Sequence, residues 1–159
     1  MRKQQKGFSL IELLIVVAII LIIAAIAIPN LIRSRMSANE ASAVGSLRTV
    51  NTAEIAYSTT YPNVGYTALN ALGGTAPCTN AASTGACLID DVLSSGTTST
   101  KSGYTFTVAG ITGAPAVAYT SNGDPQARGQ SGQRSFYSDQ SGVIRYNASA
   151  TATASDAAL

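Results

Sequence analysis

The residue whose type and place most demand chemistry is Glu12. It stands near the start of an apolar run in which Leu13 to Ile28 carry no charge and no strongly polar side chain. A carboxylate in such surroundings is costly by several kcal/mol unless it is paired, so its chemistry is ion pairing and it calls for a cation. The next charged residue on its C-terminal side is Arg33, beyond helical reach, so the cation must come from elsewhere. Cys78 and Cys87 are the only cysteines, and there is no histidine. Two thiolate ligands cannot complete a four-ligand zinc site, and the spacing is not CxxC, so a disulfide and free thiols remain open. With no His, no Trp, one Lys beyond Lys6 and scattered carboxylates, the chain offers no triad, metal cluster or phosphate loop. The expectation is a protein that is not an enzyme, with no catalytic residue, no metal and no cofactor.

The element that must position Glu12 is the apolar run itself. Phe8 to Ile28 is about 21 residues, roughly 31 Å as a helix, which matches the hydrocarbon core of a bilayer. Arg2, Lys3 and Lys6 lie ahead of it, and without them seven Lys and Arg stand against eight Asp and Glu, a net of −1. The basic character is thus a topology signal: it holds the N-terminus in the cytoplasm and sends residues after about Asn30 across the membrane. Net charge gives no support to a nucleic-acid partner. A secretory signal cut near Ala24-Ala25-Ile26-Ala27 is the competing reading, but it leaves Glu12 unexplained. In an exported domain a Cys78–Cys87 disulfide is the default, with free thiols the alternative.

Lys6-Gly7-Phe8-Ser9-Leu10-Ile11-Glu12-Leu13-Leu14-Ile15-Val16-Val17 resembles the N-terminal motif of type IV pilins and pseudopilins: a short basic leader, Gly, Phe, and Glu at the fifth position after the cut. The resemblance covers residues 1 to about 58 and is only architectural beyond. It implies cleavage by a prepilin peptidase between Gly7 and Phe8, N-methylation of Phe8, and a role for Glu12 and Phe8 in assembly. It implies as partners other copies of the same chain in a homopolymeric filament, an inner-membrane assembly platform, and membrane lipid before assembly. The implied function is a structural subunit, the major pilin, of a type IV pilus; a type II secretion pseudopilin or a minor pilin is the alternative. The implied location is a single-pass inner-membrane protein that later joins an extracellular pilus. Leu21 departs from the glycine many bacterial pilins carry there, which leaves open whether the helix melts between Leu21 and Pro29. Some pseudopilins bind calcium near the end of the sheet, which draws attention to Asp124 and Asp139, although capping of turns is their simpler role.

The expected fold is α+β, a long N-terminal helix, half transmembrane and half amphipathic, packed on an antiparallel sheet of about four strands. Residues 1–7 form the leader and 8–29 the transmembrane, filament-core helix, where Pro29 removes one backbone hydrogen bond and is expected to break or kink it. Residues 30–60 continue as an amphipathic helix with Met36, Ala43, Leu47, Val50 and Ile55 on the core face and with Arg33 and Arg35 at headgroup level, paired with acidic groups of neighbouring subunits, or simply solvated. Residues 61–101 form a loop rich in Gly, Ser, Thr and Asn, pinned by Cys78 and Cys87, with short helical turns near Ala68–Leu72 and Leu88–Leu93. Residues 102–146 form the sheet: Tyr104, Phe106 and Val108 alternate with Thr105 and Thr107, Ala116–Thr120 reads as a second strand, and Asn122–Gln133 as loop. Ser135–Ser138 and Val143–Tyr146 make a hairpin about a four-residue turn. Residues 147–159 read as a loose tail, or as an edge strand.

Overall fold

A computed structural model describes residues 8–74 and 77–159; the leader, with Gly7, lies outside the described residues. The chain divides into two compact units between Arg35 and Met36. Helix α1, Leu10–Thr60, provides the helical part of the first unit and the opening element of the second. Pro29 lies inside α1 and does not end it. A proline removes one N–H, and the flanking apolar residues keep the rest of the ladder, so the expected break is not a helix terminus.

In the first unit every described side chain from Phe8 to Arg35 is exposed except the half-buried Ala24. The helix is long and apolar enough to cross a membrane. Such a run needs a solvent of its own kind, because lipid leaves the backbone no partner but itself and a helix satisfies every internal N–H and C=O.

In the second unit α1 buries a stripe at three- and four-residue steps, Glu40, Ala43, Val44, Leu47, Val50, Asn51, Glu54 and Tyr57. This corrects the expected face at one point: Ile55 is exposed and the neighbouring Glu54 is fully buried. The stripe passes from Val50 and Asn51 to Tyr57 through position 54, so helical phase overrides side-chain polarity there.

The stripe covers one face of a six-stranded antiparallel meander, β1 (Thr98–Lys101), β2 (Tyr104–Ala109), β3 (Thr120–Pro125), β4 (Ser135–Asp139), β5 (Arg145–Asn147) and β6 (Ala157–Ala158), ordered as in sequence. Two strands more than expected appear, and the sheet starts at Thr98. Strand β1 is polar and shows no alternation; its register is set by a two-residue turn, Ser102 (φ 51°) and Gly103 (φ 72°), which pairs Lys101 with Tyr104. On β2, Tyr104, Phe106 and Val108 are buried as their alternation requires. Ala116–Tyr119 precedes β3 and is not a strand of the sheet, whereas Asn122–Pro125, expected as loop, is strand. Gly123 is there because a Cβ would meet the Phe106 ring at 3.2 Å. The β4–β5 hairpin forms with β5 displaced to Arg145–Asn147. Of the two turns expected in the loop, only Leu69–Leu72 is a helix, α2; at Leu88–Leu93 a single bond from Ser94 N–H to Asp90 O closes one turn.

The last residues take the edge-strand alternative. Asn147 Oδ1 accepts from Ser149 N and Ala150 N at 3.0 Å each, Asp156 Oδ2 accepts from Thr153 N at 2.7 Å, and β6 pairs with β5. The core between stripe and sheet is aromatic, with Tyr57, Tyr104, Phe106, Tyr119 and Phe136 almost fully buried. Burying each such side chain contributes about 1.5–3 kcal/mol.

A carboxylate fixes the helix to the sheet. Glu40 Oε1 accepts from the N–H groups of Gln133 (2.8 Å) and Arg134 (3.1 Å), and Oε2 accepts from Arg134 Nε at 2.8 Å. The Arg134 guanidinium lies 5.5 Å from the ring centres of both Phe136 and Tyr146. Burial alone raises the Glu40 carboxyl, but the two N–H groups and the guanidinium outweigh it and hold the carboxyl below its ordinary value of 4.5. Its stabilising effect is therefore complete above that value and fades as pH falls below it. Glu40→Ala, leaving three donors without their acceptor, is expected to cost about 3 kcal/mol in denaturant unfolding of the detergent-solubilised chain at pH 7. Glu40→Gln costs less because one acceptor survives.

Candidate assembly site and the stapled loop

Ser9 precedes the first helical residue, and its C=O accepts the N–H of Leu13 at 3.3 Å. That is what an N-cap residue does. Three residues on, the Glu12 carboxylate turns back so that Oε2 accepts the Ser9 N–H at 3.0 Å. Ser-Leu-Ile-Glu is thus a capping-box spacing, closed here on its carboxylate side. Ser9 is the site residue that the sequence reading missed, and the S-x-x-E spacing ahead of the apolar run was the signal. The helix N-terminus also carries partial positive charge, which favours an anion. Neither of these partners is a cation.

Phe8 is 79% exposed, and Glu12 and the apolar side chains after it are exposed as well. Phe8, Ser9 and Glu12 stand together at the helix start; Pro29, Arg33 and Arg35 lie several turns further along α1. Arg33 and Arg35 are exposed and make no ion pair among the described residues.

The second feature is the staple. Cys78 and Cys87 form a disulfide, with Cα atoms 5.7 Å apart, and no free cysteine remains. The loop it closes packs on two helices. Tyr57 Oη, from α1, donates to Ser83 O at 2.6 Å. At the C-terminal end of α2, Ala71 O and Leu72 O accept from Ala86 N and Leu88 N at 2.8 Å each, which satisfies carbonyls that a helix end leaves open. Cys87 holds a left-handed backbone (φ 58°), unfavourable for any residue with a Cβ, and the bridge and these bonds keep it there.

Asp139 belongs to the β4–β5 turn. Its Oδ1 accepts from Ser141 N and Ser141 Oγ at 2.9 and 2.5 Å. Burial raises its carboxyl, and these Ser141 donors bring it below the ordinary value. Asp124 lies on β3, and its buried Oδ1 has no partner. The structure does not bring the two together on one turn; among the described residues no group of three His, Cys, Asp or Glu side chains forms a cluster suited to a metal.

The first unit is thus an exposed apolar helix headed by one acid and long enough to cross a membrane, and the second an amphipathic helix packed on an antiparallel meander. Residues 2–28 match the model of the prokaryotic N-terminal methylation motif, and in this segment the chain is similar to type IV pilins. It is 60% identical over 38 residues to the type IV wide pilus major component PilA4 of Thermus thermophilus, covering 24% of this chain and 29% of that protein. It is 49% identical over 51 residues to the type IV major pilin protein PilA of Myxococcus xanthus, covering 32% of this chain and 23% of that one. The chain thus aligns with less than a third of the length of either relative. No solved structure matches it.

Replacing Cys78 and Cys87 together by serine is expected to lower stability by about 2–3 kcal/mol, the chain-entropy value for a loop of about ten residues. Denaturant unfolding of the solubilised chain, with and without reductant, measures it: reductant lowers the wild-type midpoint and leaves the double variant unmoved.

Proposed function

We propose that this chain is the major structural subunit of a type IV pilus. A prepilin peptidase cuts between Gly7 and Phe8, and the new N-terminus at Phe8 is methylated. The subunit waits in the inner membrane with its N-terminus cytoplasmic and residues after about Asn30 outside. An assembly platform then adds it at the base of an extracellular filament whose core is the bundled helices of identical copies. The chain works by polymerising and not by catalysis.

The observation that carries this reading is Glu12. Among the described residues it is held by a backbone N–H and has no cation. Cleavage at Phe8 creates an ammonium group, and in a staggered bundle the amine of one subunit lies within reach of Glu12 of the next. An ion pair in so apolar a place also selects the register, because any stagger that leaves the acid unpaired is penalised. The apolar face exposed from Leu13 to Ile28 exchanges lipid for neighbouring helices at little cost. The two relatives named above, both described as major pilus components, support the choice of major subunit over a minor pilin or a pseudopilin of type II secretion.

Glu12→Ala and Glu12→Gln are expected to abolish sheared filaments while the membrane pool persists at wild-type level. Mass spectrometry of shed fibres is expected to find this chain as the bulk protein, starting at N-methylated Phe8. Fibres built mainly of another subunit, or a mature chain starting near Pro29, overturn the reading.

A further inference from the structure

The filament reading makes no use of the most deeply buried charge-bearing group in the second unit. Glu54 has no exposed surface. Its Oε2 accepts the backbone N–H of Thr67 at 3.0 Å, and its Oε1 has no hydrogen-bond partner. The two ion pairs among the described residues, Lys101 with Asp90 and Arg134 with Glu40, involve other acids. The titratable groups around it are of one sign. Tyr119 feels its charge, Tyr66 packs on Tyr119 with ring centres 4.8 Å apart, and Asp139 on β4 acts on the same phenol. Each of these is neutral or negative, and none offsets a carboxylate. On α1 itself the nearest buried polar neighbour one turn away, Asn51, is occupied by Tyr119 Oη and Ser138 Oγ.

Thr67 belongs to a segment, Tyr61 to Ala68, that runs from the end of α1 to α2. Gly65 in it is buried, and Tyr61 and Tyr66 are partly buried against the core. Tyr61 packs on Tyr57 at 4.8 Å between ring centres, and Tyr66 packs on Tyr119. One backbone bridge ties it to the stretch before β3, with Tyr66 N donating to Ala116 O at 3.1 Å and Ala116 N to Val64 O at 2.8 Å. The Glu54 carboxyl is the attachment from beneath. Its outer face is already partly wet: Pro62, Asn63 and Val64 are exposed.

We propose that Glu54 is a proton-operated latch for this strap, closed while the carboxyl is neutral and released when it ionises, so that Tyr61–Ala68 lifts from α1 and water reaches the acid. A buried anion with one donor and no counter-ion is poorly solvated, and opening the strap is the nearest route to water. The single Thr67 N–H favours the anion, but burial outweighs it and pushes the carboxyl from 4.5 up to about 7. The folded state therefore holds a proton that the unfolded or opened state gives up between those values. The latch is complete below about 4.5, weakens as pH rises towards 7, and is weakest above it. Glu40 works in the opposite direction, fading as pH falls, so the two acids of one helix oppose each other in their response to protons. Release frees the Tyr66 and Tyr119 ring faces and the bridging groups of Val64, Tyr66 and Ala116.

Amide hydrogen exchange on the full chain in detergent, at pH 5 and pH 8 and corrected for intrinsic rates, tests the latch. Protection at Tyr66, Thr67 and Ala116 is expected to fall by on the order of 100-fold between the two, the linkage set by the displaced carboxyl. Protection of the β2–β3 pairs, Phe106 with Gly123 and Val108 with Ser121, is expected to stay constant, which separates local opening from general loss of stability. In Glu54→Gln, where the side chain cannot ionise, the strap keeps its protection at pH 8. Should that variant fail to fold, the wild-type comparison of strap with sheet still decides. Equal losses in strap and sheet, no loss in the strap, or the same loss in Glu54→Gln each overturn the proposal.

Discussion

A carboxylate on a largely apolar helix has to find hydrogen-bond donors, and the three acids of α1 differ by which donors they find. Glu12 has one backbone N–H and the helix end. Glu40 has two backbone N–H groups and a guanidinium. Glu54 has one N–H and nothing else. The same functional group on the same helix thereby becomes a cap on the helix start, a fixed staple and a singly held buried acid. Local hydrogen bonding separates the three outcomes, and for the buried Glu40 and Glu54 water is not available as the default partner.

The staple explains why the small sheet can hold a helix at all. A sheet of short strands with Thr, Ser, Asn and Gly in several of them has modest apolar area, and the aromatic core gathers on β2, β4 and the stretch before β3. Glu40 fixes the register of α1 over β4 through main-chain groups, which no substitution in Gln133 or Arg134 other than proline removes. The guanidinium between Phe136 and Tyr146 then covers the rings that complete the core on that side. Where the loop would otherwise be free, the Cys78–Cys87 bridge and the Tyr57 hydroxyl do the same for the far end of the unit.

How much of this could be read from the sequence depends on whether the signal was local. The long apolar helix and Glu12 at its head are legible because hydropathy and charge act over a contiguous run. Strand β2 shows its alternation, and the hairpin around Asp139 to Gly142 shows its turn. Strand β1 does not, since Thr-Ser-Thr-Lys carries no apolar rhythm and is ordered by the Ser102–Gly103 turn and by pairing with β2. Strand β3 was hidden for a related reason: Asn-Gly-Asp-Pro has the composition of a turn, yet Gly123 is needed where Phe106 crosses it. Ile55 and Glu54 exchanged their expected places because the choice between them rests on helical phase over four turns and on a backbone N–H thirteen residues away, neither visible in a window of apolar steps. The tail's Ala, Ser and Thr gave no pattern, while Asn147 and Asp156 organise it through side-chain bonds to the backbone.

The bond between Ser9 and Glu12 changes the argument for self-association more than it first suggests. Spacing alone left the acid with no partner in its own chain; the structure supplies one, but a neutral one. A backbone N–H can orient a carboxylate and take up one lone pair of Oε2, yet it leaves the net charge unchanged. The helix N-terminus adds only partial charge, confined to the first turn. Among the described residues the acid is therefore held in place without meeting a cation, which is the condition under which an incoming ammonium group gains most: one oxygen is already fixed, so little rotamer freedom remains to be lost. In this reading the capping bond does not compete with assembly. It prepares the carboxylate for a cation that the described residues do not bring to it.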